Sequence, residues 1–368
     1  MQPSLTRAWA EIDLGALRRN AAALARHAGV PLLPMVKADA YGLGVIEVVR
    51  ALEVLSPWGY GVATVDEGAL LRRAGIARPL VVFTPVLGDD VASMMRWHLT
   101  PALGSAREID AWTRAGGGSW HLAIDTGMSR AGIRWDLART LRALVERYPP
   151  QGAFTHFHSA ECEDGSMQEQ EQRFRAALAA LPLEGALLHA ENSAAIVRRA
   201  RSPWDLVRPG IFLYGVGSGP GAKLTPEPVV HVRARVVDVR DVHDGETVSY
   251  GAAYRVQGER RIATLAIGYA DGYARALGNH AHALLAGERV RVAGVVTMDM
   301  TMVDVTGHRC EPGDAVTLVG ADGTEHLTLE DVCAAAALSP YEALTRLAGR
   351  LPRVYRDAEA VGGGTFSR

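Results

Sequence analysis

From residue 32 to residue 214, apolar runs alternate with amphipathic stretches. Runs at 32–36, 60–64, 80–83, 99–103, 120–124, 152–157, 186–189 and 206–214 have the length of buried strands. Between them, apolar residues recur at helical spacing: Val45, Val48, Val49, Leu52 and Leu55; Leu137, Leu141, Leu144 and Val145; Phe174, Leu178 and Leu181. Strand and helix in strict alternation mean right-handed βαβ units and a parallel sheet. Eight such strands predict an α/β fold, a closed (β/α)8 barrel of the TIM type. An open doubly wound sheet is the alternative, but no Gly-x-Gly-x-x-Gly turn supports a dinucleotide site in it. Ahead of the first run, a strand-like segment at 8–14 leads into a helix that reaches about His27 and stops at Gly29.

The pattern changes after Gly215-Val-Gly-Ser-Gly-Pro-Gly221, a linker rich in breakers. Alternation with period two begins at Val230 and recurs at 261–267, 290–296, 302–305 and 315–319, and helical spacing returns only at 329–337 and 341–347. This predicts a barrel domain over residues 1–225 and a mainly-β domain with antiparallel strands over 226–368.

Composition narrows the function classes. A net charge of -2 with 22% charged residues leaves no basic face for nucleic acid, and 48% hydrophobic residues supply large cores. No apolar run reaches membrane-spanning length, and residues 1–11 lack the pattern of a signal peptide. Cys162, Cys310 and Cys333 have no paired spacing, which fits a reducing compartment. The expectation is a cytoplasmic protein.

The candidate chemistry starts at Met35-Val36-Lys37-Ala38-Asp39-Ala40-Tyr41-Gly42-Leu43-Gly44, where a lysine ends an apolar run. Desolvating an ammonium is costly, so a lysine at a buried strand end gives up its proton readily and serves as an amine nucleophile or base. A lysine snorkelling to the surface is the alternative, and the stretch alone does not choose. Active-site residues of a barrel project from the C-terminal strand ends. There the chain offers Lys37 and Tyr41, Asp125 to Arg130, His156 and His158, His189 to Ser193, and Arg208 to Ile211, with few carboxylates. Ser193 opens a helix, Gly210 and Ile211 present backbone N–H groups, and the last two strands of such barrels cradle phosphates. For Ser193 alone an ordinary N-cap is the plainer reading. A phosphate at one end and a carbonyl-reactive lysine at the other describe pyridoxal 5′-phosphate (PLP). His156-x-His158 also sets two imidazoles on one strand face, a fair metal pair, but no carboxylate cluster completes a metal site.

Val36-Lys37-Ala38-Asp39-Ala40-Tyr41-Gly42 resembles the PLP-lysine motif of the alanine racemases, the fold-type III PLP enzymes. Asp125-Thr-Gly-Met-Ser-Arg130, Thr155-His156-Phe157, Asn192-Ser193-Ala194, Val207-Arg208-Pro209-Gly210-Ile211, Val248-Ser249-Tyr250-Gly251, Ile267-Gly268-Tyr269-Ala270-Asp271-Gly272, Met298-Asp299, Tyr341-Glu342 and Arg350-Leu351-Pro352-Arg353 resemble further blocks of that family, in its order and across both predicted domains.

The resemblance implies an isomerase that interconverts L-alanine and D-alanine with PLP and supplies D-alanine for peptidoglycan. It implies a homodimer with shared active sites, no nucleic-acid or membrane partner and no metal. By it, Lys37 bonds PLP covalently and serves the substrate Cα from one face, while Tyr250 of the partner subunit serves the other. Inverting a carbon needs two such groups. Tyrosine, with an ordinary pKa of about 10, needs help as a base, and the family supplies it through residues matching His156 and Arg208. Arg208 matches the residue facing the pyridine nitrogen. An arginine does not hand its proton to the ring, which weakens the electron sink and favours racemisation over decarboxylation. Tyr41, Ser193, Gly210, Ile211 and Tyr341 match phosphate contacts, and Arg130 matches a residue near the ring oxygen. Tyr269 and Met298 match the substrate end, with core packing as the plain alternative. His189 matches a partner of the pyridine arginine. Ala123 departs from the pattern, because several members carry there a carbamylated lysine that orients the ring-side arginine. Leu43, Ser129, His158, Glu191 and Thr297 depart too. None touches the two bases, but together they leave a serine or broader racemase as the alternative.

Overall fold

The computed structural model describes residues 6–347 and 349–357 of the 368. Residues 1–5 and 358–368, the outer ends of the two expected domains, lie outside the described residues.

A parallel sheet runs in sequence order through β2 (Tyr60–Val62), β3 (Leu80–Val82), β4 (Thr100–Leu103), β5 (His121–Asp125), β6 (Gly152–Phe154) and β7 (Leu187–His189). The expected first and eighth strands close this ring differently from the pattern. Leu32 bridges Val207 and Met35 bridges Gly61, both in parallel, but neither segment forms a ladder. The reason is proline: Pro31, Pro34 and Pro209 have no N–H to donate. What remains is single bonds such as Leu33 N–H to Val207 O at 2.8 Å and Val36 N–H to Gly61 O at 2.9 Å. Beyond Gly210 the chain leaves the sheet in a 3-10 turn, Ile211–Tyr214. The result is a (β/α)8 barrel with six regular strands and two bridge-like ones.

Helices α1 (Leu14–Ala28), α2 (Val45–Glu53), α3 (Val65–Arg73), α4 (Asp90–Arg96), α5 (Ala106–Arg114), α6 (Arg142–Arg147), α7 (Ser166–Ala179) and α8 (Ser193–Arg198) belong to this half. Their starts follow local chemistry. Thr64 and Glu67 form a reciprocal capping box on α3, and Asn192 caps α8 by accepting from Ala195 N–H at 3.1 Å.

The second half is a nine-stranded sheet with one strand from each chain end. β1 (Ala8–Asp13) falls within the first 225 residues yet pairs antiparallel with β8 (Val230–Val242) and parallel with β15 (Arg353–Arg356). On the other side of β8 follow β9 (Arg260–Leu265), β12 (Thr301–Asp304), β11 (Glu288–Val292), β10 (His282–Leu285), β13 (Ala315–Asp322) and β14 (Glu325–Leu327). β13 also pairs with β8, so the sheet curls back on itself around an apolar interior. A small hairpin, Thr247–Val248 with Tyr254–Arg255, projects between β8 and β9 and carries Tyr250.

Candidate active site

Lys37 leaves the barrel on a turn of unusual hand. Ala38, Asp39, Ala40 and Tyr41 all have positive φ, between 53° and 56°, in the left-handed region. For non-glycine residues this costs about 1–2 kcal/mol each, so the turn exists only because its surroundings impose it. Glu67 accepts the Ala38 N–H at 2.7 Å and the Ala63 N–H at 2.7 Å. Asp39 accepts from Val45 N–H at 2.7 Å and pairs with Arg353 at 2.7 Å. Gly42 closes the turn with φ 86°, and a Cβ there would sit 2.5 Å from the Leu344 carbonyl. The turn aims Lys37 into the barrel mouth, where burial lowers its pKa below that of a free amine; nearby Arg130 adds to the effect and Glu67 opposes it.

Arg208 lies opposite, 3% exposed. It donates to the carbonyls of Thr155 at 2.6 Å, His189 at 2.9 Å and Ala190 at 3.1 Å, to His189 Nδ1 at 2.8 Å and more weakly to His156 Nδ1 at 3.4 Å. Burial pulls it down to about 9, so it stays cationic at neutral pH. An arginine can only donate, which fixes the tautomers behind it. His189 Nδ1 is bare, so its Nε2–H donates to His121 Nδ1 at 2.8 Å, and His121 carries its proton on Nε2. All three imidazoles are held neutral, chiefly by burial: His156 at about 3, His121 at about 4 and His189 well below the ordinary range. The pair His156 and His158 does not converge as a metal pair would, since His158 is exposed and bonds Ser159 Oγ.

A third element is an uncharged cradle. Ser193 is the first helical residue of α8 rather than its N-cap, and its Oγ accepts from Gly210 N–H at 2.9 Å and Phe212 N–H at 3.4 Å. Ser193 and Ile211 both line the cavity, the latter at the start of its 3-10 turn, where a backbone N–H has no partner within the turn. Tyr41 stacks on Tyr214 at 4.6 Å between ring centroids, with Tyr341 beyond it at 6.2 Å.

Lys37, Tyr41, Arg130, His156, Ser193, Arg208, Gly210, Ile211 and Tyr341 all line one cavity of about 1070 Å³. Its carboxylates are largely engaged: Asp125 by the N–H groups of Gly127 and Ser129, Glu108 by Gly104 and Glu330 by Gly217. Arg130 lies at the exposed rim of this cavity, and Ala123 lies among Ala102 and Phe154 on its apolar wall. Tyr250, Tyr269 and Met298 are not in this cavity; they are 74%, 42% and 53% exposed on the second half of the chain. Sequence reasoning missed His121, read only as part of an apolar run, and the ion pairs of Glu191.

Residues 12–218 match the family model for the alanine racemase N-terminal domain, and residues 229–355 match that for the alanine racemase C-terminal domain. The chain belongs to the alanine racemase family. Members of this family are isomerases. Relatives include the alanine racemase of a Nostoc species, 36% identical over 95% of each chain, and that of Symbiobacterium thermophilum, 37% identical over 94% of this chain and 96% of that one. Among solved structures, the alanine racemase of a D-cycloserine-producing Streptomyces lavendulae superposes with a TM-score of 0.89 at 32% identity, covering 97% of this chain and 98% of that one. That of Bartonella henselae, solved with covalently bound pyridoxal phosphate, superposes with a TM-score of 0.88 at 30% identity, covering 95% of this chain and all of that one.

Proposed function

We propose that this racemase interconverts L- and D-alanine with two bases from two copies of the chain, Lys37 of one and Tyr250 of the other. The observation that carries the proposal is a split. The cavity of one copy holds a buried amine with a lowered pKa, while Tyr250 stands 74% exposed on a projecting turn together with Tyr269, Met298 and Met300. Four large side chains exposed in one region fit an interface better than a solvated face. A two-fold dimer that seats this patch over the partner's cavity completes both sites at once. The division into residues 1–225 and 226–368 is the working boundary between the two contributions.

The cavity fits PLP. A Cβ at Gly210 would lie 2.5 Å from Tyr41 Oη, so the cradle is shaped by the absence of a side chain there. Ser193, Tyr41, Tyr341 and the N–H groups around Ile211 would hold the phosphate, Arg208 the ring nitrogen and Arg130 the ring oxygen, with Lys37 as the attachment point. When bound, the cofactor supplies an electron sink for the pair left behind when Cα loses its proton.

The protein's own groups divide the proton work. Lys37, lowered by burial, is available as a neutral amine and moves a proton to or from one face of Cα. Tyr250 does so on the other face. His156, with Nδ1 turned to Arg208, keeps its Nε2–H for a phenolate oxygen, and the Arg208 cation stabilises the same charge. Arg208 keeps its own proton, so the ring nitrogen gains a hydrogen bond rather than a full charge. Met298 and Tyr269 bound the substrate from the partner side. The physiological reading is D-alanine supply for peptidoglycan in the cytoplasm; among the described residues no helix is long and apolar enough to cross a membrane.

The test uses two inactive variants. Lys37→Ala and Tyr250→Phe, each alone, should lose racemisation of alanine and exchange solvent deuterium at Cα from one enantiomer at most. Mixed and allowed to exchange subunits, they should regain about a quarter of the wild-type sites, because half of random dimers are mixed and one of their two sites has both bases. No recovery on mixing, with a fully active monomer, would refute the shared site.

A further inference from the structure

Glu191 has no part in the proton handling above, yet it is fully buried, at 0% exposure, on the turn between β7 and α8. A buried carboxylate persists only with a partner. That partner is Arg199, just past the end of α8, whose Nε lies 2.6 Å from Glu191 Oε1. Arg199 also contacts Glu171 of α7, and Glu171 lies 2.7 Å from Arg175. Charges therefore alternate in a row from interior to surface, with side-chain exposures of 0% for Glu191, 20% for Arg199, 15% for Glu171 and 54% for Arg175. The Arg199 carbonyl is fixed from a third direction by His27 Nε2 of α1, at 2.8 Å.

The same turn carries much of the cofactor cradle. Carbonyls of His189 and Ala190 accept from the Arg208 guanidinium at 2.9 and 3.1 Å, and the Glu191 carbonyl accepts the Arg208 N–H at 2.9 Å. Two residues on, Ser193 Oγ accepts from Gly210 N–H at 2.9 Å. These groups all face the barrel; the Glu191 carboxylate is tied the other way. Its contact with Arg199 is close but off-axis, and the Ser202 side chain stands beside it as a second polar neighbour. The Arg199 ion pair, with Ser202 beside it, is what holds it.

We infer that Glu191 is a positioning residue: pinned by Arg199, it locks the 189–193 turn so that the Arg208 guanidinium and the Ser193 hydroxyl stay at a fixed separation, matched to the ring and phosphate of one cofactor. The inference rests on reading the cavity as a PLP site. A chain in which this residue is small would have to set that separation by packing alone.

The test titrates PLP into apo-protein, follows the absorbance of the covalently bound cofactor, and records thermal melting of each apo-protein. Glu191→Gln removes the charge at constant shape, Arg199→Gln removes the pin, and Glu171→Gln removes only the outer partner of Arg199. Glu191→Gln and Arg199→Gln should each weaken PLP binding by about tenfold or more and shift the absorbance band of the bound form. Glu171→Gln should lower the apo melting temperature while leaving PLP affinity within about twofold. Failure of wild type to bind PLP would remove the reading of the cavity itself. Wild type binding PLP, with Glu191→Gln equal to it in affinity and spectrum, would overturn the inference and leave that reading standing, whatever happens to melting. Should Glu191→Gln fail to fold, Arg199→Gln decides between the same outcomes.

Discussion

His121 makes the buried imidazole row testable through stability. It is 0% exposed and is held neutral at about 4, by burial first; the Gln151 side chain opposes that shift and the nearby Arg208 charge adds to it. In the unfolded chain the same group titrates at about 6.5. A folded pKa below the unfolded one means that the unfolded state takes up a proton first as pH falls. The contribution is therefore fully present above about 6.5 and is lost progressively down to about 4. Over that window the loss approaches about 3 kcal/mol, of which about 2 kcal/mol is gone by pH 5. His121→Phe removes the titration and also the acceptor of the His189 Nε2–H bond, which should cost about 1–3 kcal/mol at every pH. His189 itself stays neutral in the variant, since burial and Arg208 still hold it down. Urea unfolding at one protein concentration should thus find His121→Phe less stable than wild type at pH 7.5, with the gap closing by about 2 kcal/mol at pH 5. Parallel stability curves for the two proteins across that range would refute a neutral, buried His121.

Three further outcomes follow from the geometry. Gly210→Ala drives a Cβ to 2.5 Å from Tyr41 Oη in a filled corner, so overpacking should cost about 1–3 kcal/mol and weaken PLP binding; unchanged PLP affinity would refute the cradle. Glu67→Ala frees the Ala38 and Ala63 N–H groups and unpins the left-handed turn, so melting should fall by the equivalent of about 1–3 kcal/mol and covalent capture of PLP by Lys37 should slow. Arg350→Met releases Asp271 and Asp299, the carboxylates that hold the loops of Tyr269 and Met298; KM for alanine should rise more than kcat falls, and an unaltered KM would show that these loops need no clamp.

Much of the barrel was legible because its middle strands are short Val- and Leu-rich runs that need only their neighbours in sequence. The ends of the ring were not. Pro34 and Pro209 sit inside runs that hydropathy alone reads as strands, and Pro31 just before one; a run of apolar residues does not reveal that its N–H groups are missing. The partner of β1 was illegible for another reason: its neighbours lie at Val230 and Arg353, and non-local pairing leaves no periodic trace. The Lys37 stretch offered either a reactive amine or a snorkelling lysine, and gave no sign of the hand of its turn. Ala38 and Ala40 disfavour left-handed backbone and Asp39 merely tolerates it, so the contacts with Glu67 and Arg353, distant in sequence, help to impose it.

The arrangement around Arg208 explains why so many imidazoles surround one cation. Among the described residues no carboxylate hydrogen-bonds this guanidinium; carbonyl oxygens and bare imidazole nitrogens do. A carboxylate at that distance would cancel the field that Arg208 sends into the cavity, whereas neutral acceptors satisfy its N–H groups and leave the charge standing. Each histidine must then stay neutral for the next one to work. Protonating His189 would turn its acceptor Nδ1 into a donor aimed at another donor, and protonating His121 would do the same to His189. Burial blocks both events, which is why a row of groups that ordinarily titrate near neutrality can serve as fixed dipoles. The buried Glu191 carboxylate is kept one layer back and paired with Arg199, where it can hold the turn while making no hydrogen bond to the cation in front of it.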